Sequence, residues 1–482
     1  MNATANQMMT YDRQDSQREP DTLIVGLGKT GLSCARYCLQ FGVSYAVVDS
    51  REQPPCLQQL RQLDAAADIH VGGFDAALLD KAQRLLVSPG VSLQIDFIQQ
   101  AVRRGIEVIG DIELFVRHAN APVIAITGSN GKSTVTTLVG EMARRAGKSA
   151  RVGGNLGTPA IDLLLEQSDA SVSKVDFYVL ELSSFQLETT HSLNAHASVV
   201  LNISPDHMDR YSSYDDYIGA KQVVYHGDGA MIVNREDPLV MNMLENELQG
   251  NPQRKVLSFG LSHPEVKDSH PGIIEFGIAQ HDGAEYLAQG EQLLLPVSEL
   301  KIAGRHNQAN ALAALALGTA MQLSLPAMLE TLRSFSGLPH RMQWVATINE
   351  INWYNDSKGT NPGATISAIA GMPGPKILIA GGDGKGADFT ALRAAVAAYQ
   401  VHSVVLIGVD AGKIAAALGN LVRLQHAASM VDAVDKAYDM ARSGDSVLLS
   451  PACASFDMFN NYEHRGEVFM QAVRALAARV KA

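Results

Sequence analysis

At 482 residues the chain exceeds what one hydrophobic core ordinarily holds, and about three domains of ~150 residues each are expected. A composition of 46% hydrophobic and 18% charged residues excludes a disordered chain. A net charge of −11 without any Lys/Arg block argues against a nucleic-acid partner.

The first stretch, residues 1–21, is polar, lacks the apolar core of a signal peptide, and reads as a poorly ordered N-terminal extension. Cys34, Cys38, Cys56 and Cys453 show neither a CxxC nor a zinc spacing, so a reduced, cytoplasmic protein is expected. The longest apolar run, 309–321, is too short for a bilayer, and no membrane insertion is expected.

A first α/β unit spans 22–110. A strand over 23–25 leads into Gly26-x-Gly28-x-x-Gly31 and an amphipathic helix, and a second strand over 44–48 ends in Asp49. This is the dinucleotide-fold fingerprint in its strand–turn–helix setting, with an acid at the expected distance. Either a diphosphate rests on the helix N-terminus or the glycines only permit close helix–strand packing; context and acid favour the diphosphate. The nucleotide itself stays open, NAD being one candidate and any nucleoside diphosphate another. "RLLVSPGVSL" gives a further strand stopped by Ser88-Pro89-Gly90, and Gly110 marks the boundary.

The second unit, 111–337, opens with "APVIAITGSNGKSTVTTLVGEM". A β-branched strand runs into Gly128, Ser129, Asn130, Gly131, Lys132, Ser133 and Thr134, a P-loop with two residues between its glycines rather than four. Such a loop aims N–H groups at phosphate oxygens, its lysine neutralises charge, and the hydroxyl after it holds Mg²⁺. "DFYVLELSSFQLE" is a buried strand ending in Glu181, well placed for Mg²⁺. Ser213-x-x-Asp216 caps a helix that carries Lys221; taken alone, Lys221 reads as an exposed helix lysine. Residues 261–292 read as hairpins or insertions, and His306, Asn307 and Asn310 precede a helix of small residues.

The third unit, 338–482, repeats strand–loop–helix alternation through "KILIAGGDGKGADF", "SVVLIGVDAGKIAAAL" and "SVLLSPACASFDMFNNYEHRG". Alone, 381–386 reads as a surface turn. The expected fold is α/β in three domains: a Rossmann-like N-terminal domain, a central P-loop ATPase-like domain with a mostly parallel sheet, and a C-terminal Rossmann-like domain. Ligand sites should gather at the carboxyl ends of the strands.

"TGSNGKST" and "GRHNQAN" resemble the Mur ligase family over everything from about residue 22 onward, and "NDSKGTNP" and "SPACASFD" resemble its D-glutamate-adding branch. The resemblance implies an ATP-dependent ligase that phosphorylates the carboxylate of UDP-N-acetylmuramoyl-L-alanine and lets the amine of D-glutamate displace phosphate. It implies a monomer, two Mg²⁺ ions and a CO₂-derived carbamate on Lys221. By the same carry-over, Lys132, Glu181, His207 and Lys221 are the catalytic set, and Ser133, Glu181, His207 and Lys221 hold metal. The ATP site comprises residues 128–134 with His306, Asn307, Asn310, Arg341, Asp356, Lys358 and Asp383. Gly28, Lys29, Thr30, Asp49, Ser50, Arg51, Gly90, Asn155, Ser183 and His207 contact the UDP substrate. Thr360, Lys385, Ser455 and Tyr462 cradle D-glutamate, with Phe456 and Tyr462 keeping an apolar wall where the family pattern has leucine and phenylalanine. Rival readings are an NAD(P)-dependent oxidoreductase, disfavoured because no dehydrogenase motif follows, a nucleotide-gated regulator, and a folylpolyglutamate synthetase.

Overall fold

Short runs of Val, Ile and Leu, apolar on both faces, make parallel strands that helices must cover. In the computed structural model, which describes residues 21–166, 174–264, 273–302 and 304–481, the first such run is β1 (Thr22–Val25). With β2 (Tyr45–Asp49), β3 (Asp68–Val71), β4 (Arg84–Val87) and β5 (Glu107–Gly110) it forms an all-parallel sheet in the order β3-β2-β1-β4-β5. The order reverses between β1 and β4, which opens a crevice at their carboxyl ends. The glycine turn after β1 and Ser88–Gly90 after β4 line it, and Ser88 Oγ donates to the Gly26 carbonyl (2.8 Å). A Cβ at Gly31 would lie 2.0 Å from that same carbonyl oxygen, so close helix–strand packing does demand glycine there. The polar N-terminal extension falls, apart from Asp21, outside the described residues.

Next in the chain come β6 (Val123–Thr127), β7 (Ala150–Gly154), β8 (Phe177–Glu181), β9 (Ala197–Val200), β10 (Ala230–Asn234) and β11 (Val256–Phe259). β12 (Ile274–His281), β13 (Ala284–Gln289) and β14 (Gln292–Pro296) follow. β6, β9, β10, β11 and β12 run parallel side by side, β13 and β14 continue antiparallel, and β7 lies beside β8. The expected hairpins are β12–β13–β14. Their first turn is Asp282-Gly283, both at positive φ, which matches the strand twist. Residues 265–272 of that stretch lie outside the described residues.

The last sheet has the order β15-β16-β20-β17-β18-β19, where the strands are β15 (Gln343–Ile348), β16 (Ile351–Asn355), β17 (Lys376–Gly381), β18 (Val401–Ile407), β19 (Arg423–His426) and β20 (Ser446–Leu449). All its pairings are parallel except the β15–β16 hairpin. Trp353 and Phe469 belong to the core on one face, Phe389, Leu392 and Leu406 to that on the other.

The chain divides into two compact units: Met1–Val123 with Arg151–Asn194, and Ile124–Ala150 with Ala195–Ala482. The P-loop and the whole C-terminal sheet therefore share the second unit, and Glu181, Asn155 and Ser183 fall in the first.

Candidate functional site

In the second unit β6 ends at Thr127 and the helix Lys132–Arg145 begins five residues later. Gly131 caps that helix at φ +85°, and a Cβ there would lie 2.4 Å from Asn310 Oδ1. Only glycine meets both constraints. Side chains from the loop after β9 hold the turn. Asn202 Oδ1 accepts from Asn130 N (2.8 Å), and Asn202 Nδ2 donates to the Asn130 carbonyl (3.1 Å). Ser129 Oγ donates to the Ser204 carbonyl (2.8 Å) and so receives the Tyr217 hydroxyl (2.8 Å). Lys132 Nζ folds back onto the carbonyls of Gly128 (2.8 Å) and Ser129 (2.9 Å), which places its charge over the cradle.

Beside this loop lies a cavity of about 960 Å³. Asn130, Gly131 and Thr134 line it, as do His306, Asn307, Asn310, Arg341, Asp356 and Lys358. Nine of the residues assigned to ATP from sequence thus border one space, and Arg341 Nη2 also donates to Ser133 Oγ (3.0 Å). Burial pushes the His306 imidazole down to about 4, so it is neutral near pH 7. His207 is likewise pushed down to about 4, chiefly by burial, with Lys385 and Lys132 adding to the effect and Asp206 opposing it. It stands at φ +58°, a backbone strain for a residue with a Cβ.

Lys221 differs from its stand-alone reading. The Ser213 cap is present, with Ser213 Oγ accepting from Asp216 N (3.1 Å), but Lys221 is only 2% exposed. Its Nζ donates to the Gly128 carbonyl (3.0 Å) and lies 4.7 Å from the Tyr217 ring. The helix face that carries it turns inward beneath the P-loop.

Asp356 is buried, accepting from Met342 N (3.2 Å) and Ser450 Oγ (2.8 Å), and burial raises its carboxyl to about 6. Since the folded pKa lies above the ordinary aspartate value, stability falls as pH rises through the window from about 4 to about 6. Asp356→Asn, which can keep both bonds, is expected to gain about 2 kcal/mol at neutral pH, fading below pH ~4. Thermal melts of the two proteins across that range check this.

The loops after β16, β17 and β20 carry Thr360, Lys385 and Ser455 of the residues assigned to D-glutamate, and Tyr462 opens the helix Tyr462–Lys481. Gly381 and Gly382 are buried and Asp383 bridges to Ala454, so 381–386 is only in part the surface turn it resembles in isolation. Lys385 sits at φ +50°, with its N–H on Asp383 Oδ1 (3.0 Å). Ser455 is buried and Thr360 half-buried. Of the two residues expected to keep an apolar wall, Phe456 is 71% exposed, and the Tyr462 ring lies 3.7 Å beneath Lys358 Nζ. Sequence reading missed Arg465. Wholly buried, it donates to Ser357 Oγ (3.0 Å) and the Ser357 carbonyl (2.8 Å), and to the carbonyls of Cys453 (3.0 Å) and Ala454 (3.1 Å). One guanidinium thereby ties the "NDSKGTNP" loop to the "SPACASFD" loop; no periodicity or motif signals it.

In the first unit, Gly28 caps the helix Lys29–Phe41 and leaves open space where a Cβ would be. Lys29, Ser50, Arg51 and Gly90 are exposed and Thr30 half-buried around the crevice. Asp49 is already engaged: Oδ2 accepts from Leu27 N (2.7 Å) and Arg51 Nη2 (2.6 Å), and Oδ1 from Arg51 N (2.9 Å) and Nε (2.8 Å). Against the opposing effect of burial, these bonds hold its carboxyl below the usual range. A dinucleotide enzyme aims that acid at ribose hydroxyls; here it clamps the glycine turn. Ser183 caps the helix Ser184–Leu187 in a capping box with Gln186. Asn155 Nδ2 donates to Glu181 Oε1 (2.7 Å), and the buried Glu181 Oε2 has no hydrogen-bond partner among the described residues. An orphaned carboxylate oxygen suits a hard cation. Among the described residues no three His, Cys, Asp or Glu side chains gather as a metal cluster, but a magnesium ion completed by phosphate and water needs none.

Three family models match the chain in succession: the Mur ligase MurD-like N-terminal domain over residues 20–110, the Mur ligase middle domain over 126–318, and the Mur ligase glutamate ligase domain over 340–453. The UDP-N-acetylmuramoylalanine–D-glutamate ligase of Pseudomonas putida is 51% identical over 459 residues, covering 94% of this chain and 97% of that protein. The enzyme of the same name from Nitrosococcus oceani is 51% identical over 457 residues, covering 94% and 96%. Among solved structures, the UDP-N-acetylmuramate-alanine ligase of Thermotoga maritima superposes with a TM-score of 0.58 at 18% identity, covering 95% of this chain and 99% of that one. The pseudomurein peptide ligase type C of Methanothermus fervidus gives 0.57 at 16% identity, covering 95% and 100%. Three consecutive domain matches and half-identity over nearly the full length leave one conclusion: the chain belongs to the Mur ligase family.

Proposed function

We propose that this protein is an ATP-dependent ligase that adds D-glutamate to UDP-N-acetylmuramoyl-L-alanine in peptidoglycan precursor synthesis. The observation that carries the reading is the 51% identity with D-glutamate ligases over 94% of the chain, across all three domain matches. The chemistry explains the P-loop. A carboxylate does not condense with an ammonium in water, because oxide and hydroxide are poor leaving groups. Attack of the L-alanine carboxylate on the γ-phosphorus forms a C–O–P bond and releases ADP. The D-glutamate amine, having lost a proton, then attacks the carbonyl carbon and expels inorganic phosphate.

Each assigned side chain has a physical task in that sequence. Lys132 and Arg341 offset the charge that builds when one anion attacks another. His207, held neutral, can contact the acyl oxygen or a metal without adding charge of its own. Magnesium, when bound, would offset phosphate charge during the transfer. Ser133, Glu181, His207 and a carbamate on Lys221 are its proposed ligands, a set that the orphaned Glu181 Oε2 supports. Gly28, Lys29, Thr30, Asp49, Ser50, Arg51 and Gly90 are assigned to the UDP moiety, Asp49 also fixing the glycine turn, and Asn155 and Ser183 to the muramoyl end. Thr360, Lys385, Ser455 and Tyr462 are assigned to D-glutamate.

We divide the chain into 22–110, 111–337 and 338–482, a partition that the family-model spans support. No helix among the described residues is long and apolar enough to cross a membrane. The nucleotide substrates favour a cytoplasmic location. Purified protein given ATP, Mg²⁺ and UDP-N-acetylmuramoyl-L-alanine should release phosphate with D-glutamate and not with L-glutamate, L-lysine or diaminopimelate. Equal release with another of these amino acids would overturn the substrate assignment.

A further inference from the structure

The sequence contains two tryptophans, and they have opposite surroundings. Trp353, on β16, is completely buried in the C-terminal core. Trp344, on β15, is 58% exposed, among the largest apolar surfaces the described residues leave in water. Its ring stacks on no other ring among them. An isolated exposed aromatic needs no explanation. Trp344, however, borders the same cavity as Asn130, Gly131 and Thr134 of the P-loop. It stands opposite Tyr354 in the hairpin register, and Tyr354 borders the cavity as well. Only three residues before it, Arg341 is tied to Ser133 at the phosphate end (3.0 Å). Three residues span at most about 10 Å of backbone, so Trp344 and the arginine that reaches the phosphate end stand on one short segment at the rim of that cavity.

We propose that Trp344 is a nucleobase-positioning residue: its indole face stacks on the purine of the triphosphate whose phosphates occupy the P-loop. This rests on the reading that ATP occupies the cavity. A planar, weakly hydrated base gains most from an aromatic face already exposed, because no packing is broken to free it. Edge strand β15 leaves the indole room to receive a ligand, and the Tyr354 ring opposite gives the base an apolar neighbour. Every purine has such a face, so the residue favours purine over bare polyphosphate without itself selecting adenine.

Indole fluorescence reads this directly, since Trp353 has no solvent-facing surface to respond. With the whole enzyme, ATP and GTP are expected to quench the emission and inorganic tripolyphosphate to leave it unchanged. Trp344→Leu should lose the quench and raise the KM for ATP about tenfold, while Trp344→Phe keeps the KM within about threefold. The KM for the amino acid should not move with either variant. Equal quenching by tripolyphosphate, or an unchanged ATP KM in Trp344→Leu, would overturn the stacking. The underlying reading fails by a different signature: Asn310→Leu, which fills the cavity beside Gly131, would leave the ATP KM where it was.

Discussion

Replacing Lys132 by alanine is expected to lower ATP-dependent phosphate release by about a thousandfold or more, while the UDP substrate still binds with its original affinity. Removing one preorganised donor from developing negative charge costs roughly 10²–10³ in rate, and Lys132 brings a full charge. The ammonium already points into the cradle, held on the Gly128 and Ser129 carbonyls at 2.8 and 2.9 Å. The glycine turn assigned to the UDP moiety belongs to the other unit and is clamped by its own Asp49 network. Phosphate assays and calorimetric titration with the UDP substrate separate the two effects. Retained turnover with lost sugar binding would reverse the assignment.

Lys221→Ala should also be nearly inactive, and here the rescue matters more than the loss. An ammonium buried to 2% exposure beneath a phosphate cradle is costly unless something neutralises it. Reaction of the amine with CO₂, with loss of a proton, forms an N–C bond and converts the cation into an anionic oxygen ligand. If that is its working state, formate or acetate should restore part of the activity to Lys221→Ala by filling the vacated space with a carboxylate. If Lys221 works instead only as a donor to the Gly128 carbonyl (3.0 Å), the variant melts at lower temperature and small acids restore nothing. Intact-mass measurement of the native protein under gentle conditions adds an independent reading.

What the sequence makes legible is mostly backbone. Glycine runs, β-branched strands and their alternation locate the turns at Gly26–Gly31 and Gly128–Gly131, because tight turns restrict residue type at fixed offsets. The family motifs then locate residues around one cavity, from Asn130 to Lys358. What stays illegible depends on which way a side chain faces. Lys221 sits on a helix with almost no sequence amphipathicity, so nothing in its spacing reveals that it points inward. Asp49 reads as a ligand residue from its spacing, which does not reveal that both its oxygens are engaged by Leu27 and Arg51. Arg465 organises two loops through four backbone and hydroxyl acceptors, contacts between residues 11 to 108 positions apart that no local pattern encodes. Phe456 follows the family's apolar pattern and nevertheless faces water.

The route taken by one oxygen atom tests the acyl-phosphate step most directly. UDP-N-acetylmuramoyl-L-alanine labelled with ¹⁸O in both carboxylate oxygens is turned over with ATP and D-glutamate, and the inorganic phosphate is analysed by mass. Passage through a phosphorylated carboxyl leaves one labelled oxygen in each phosphate and one in the new amide carbonyl. Unlabelled phosphate alongside amide product would mean that the oxygen departed some other way, and that the triphosphate held at Lys132 does not activate the acid.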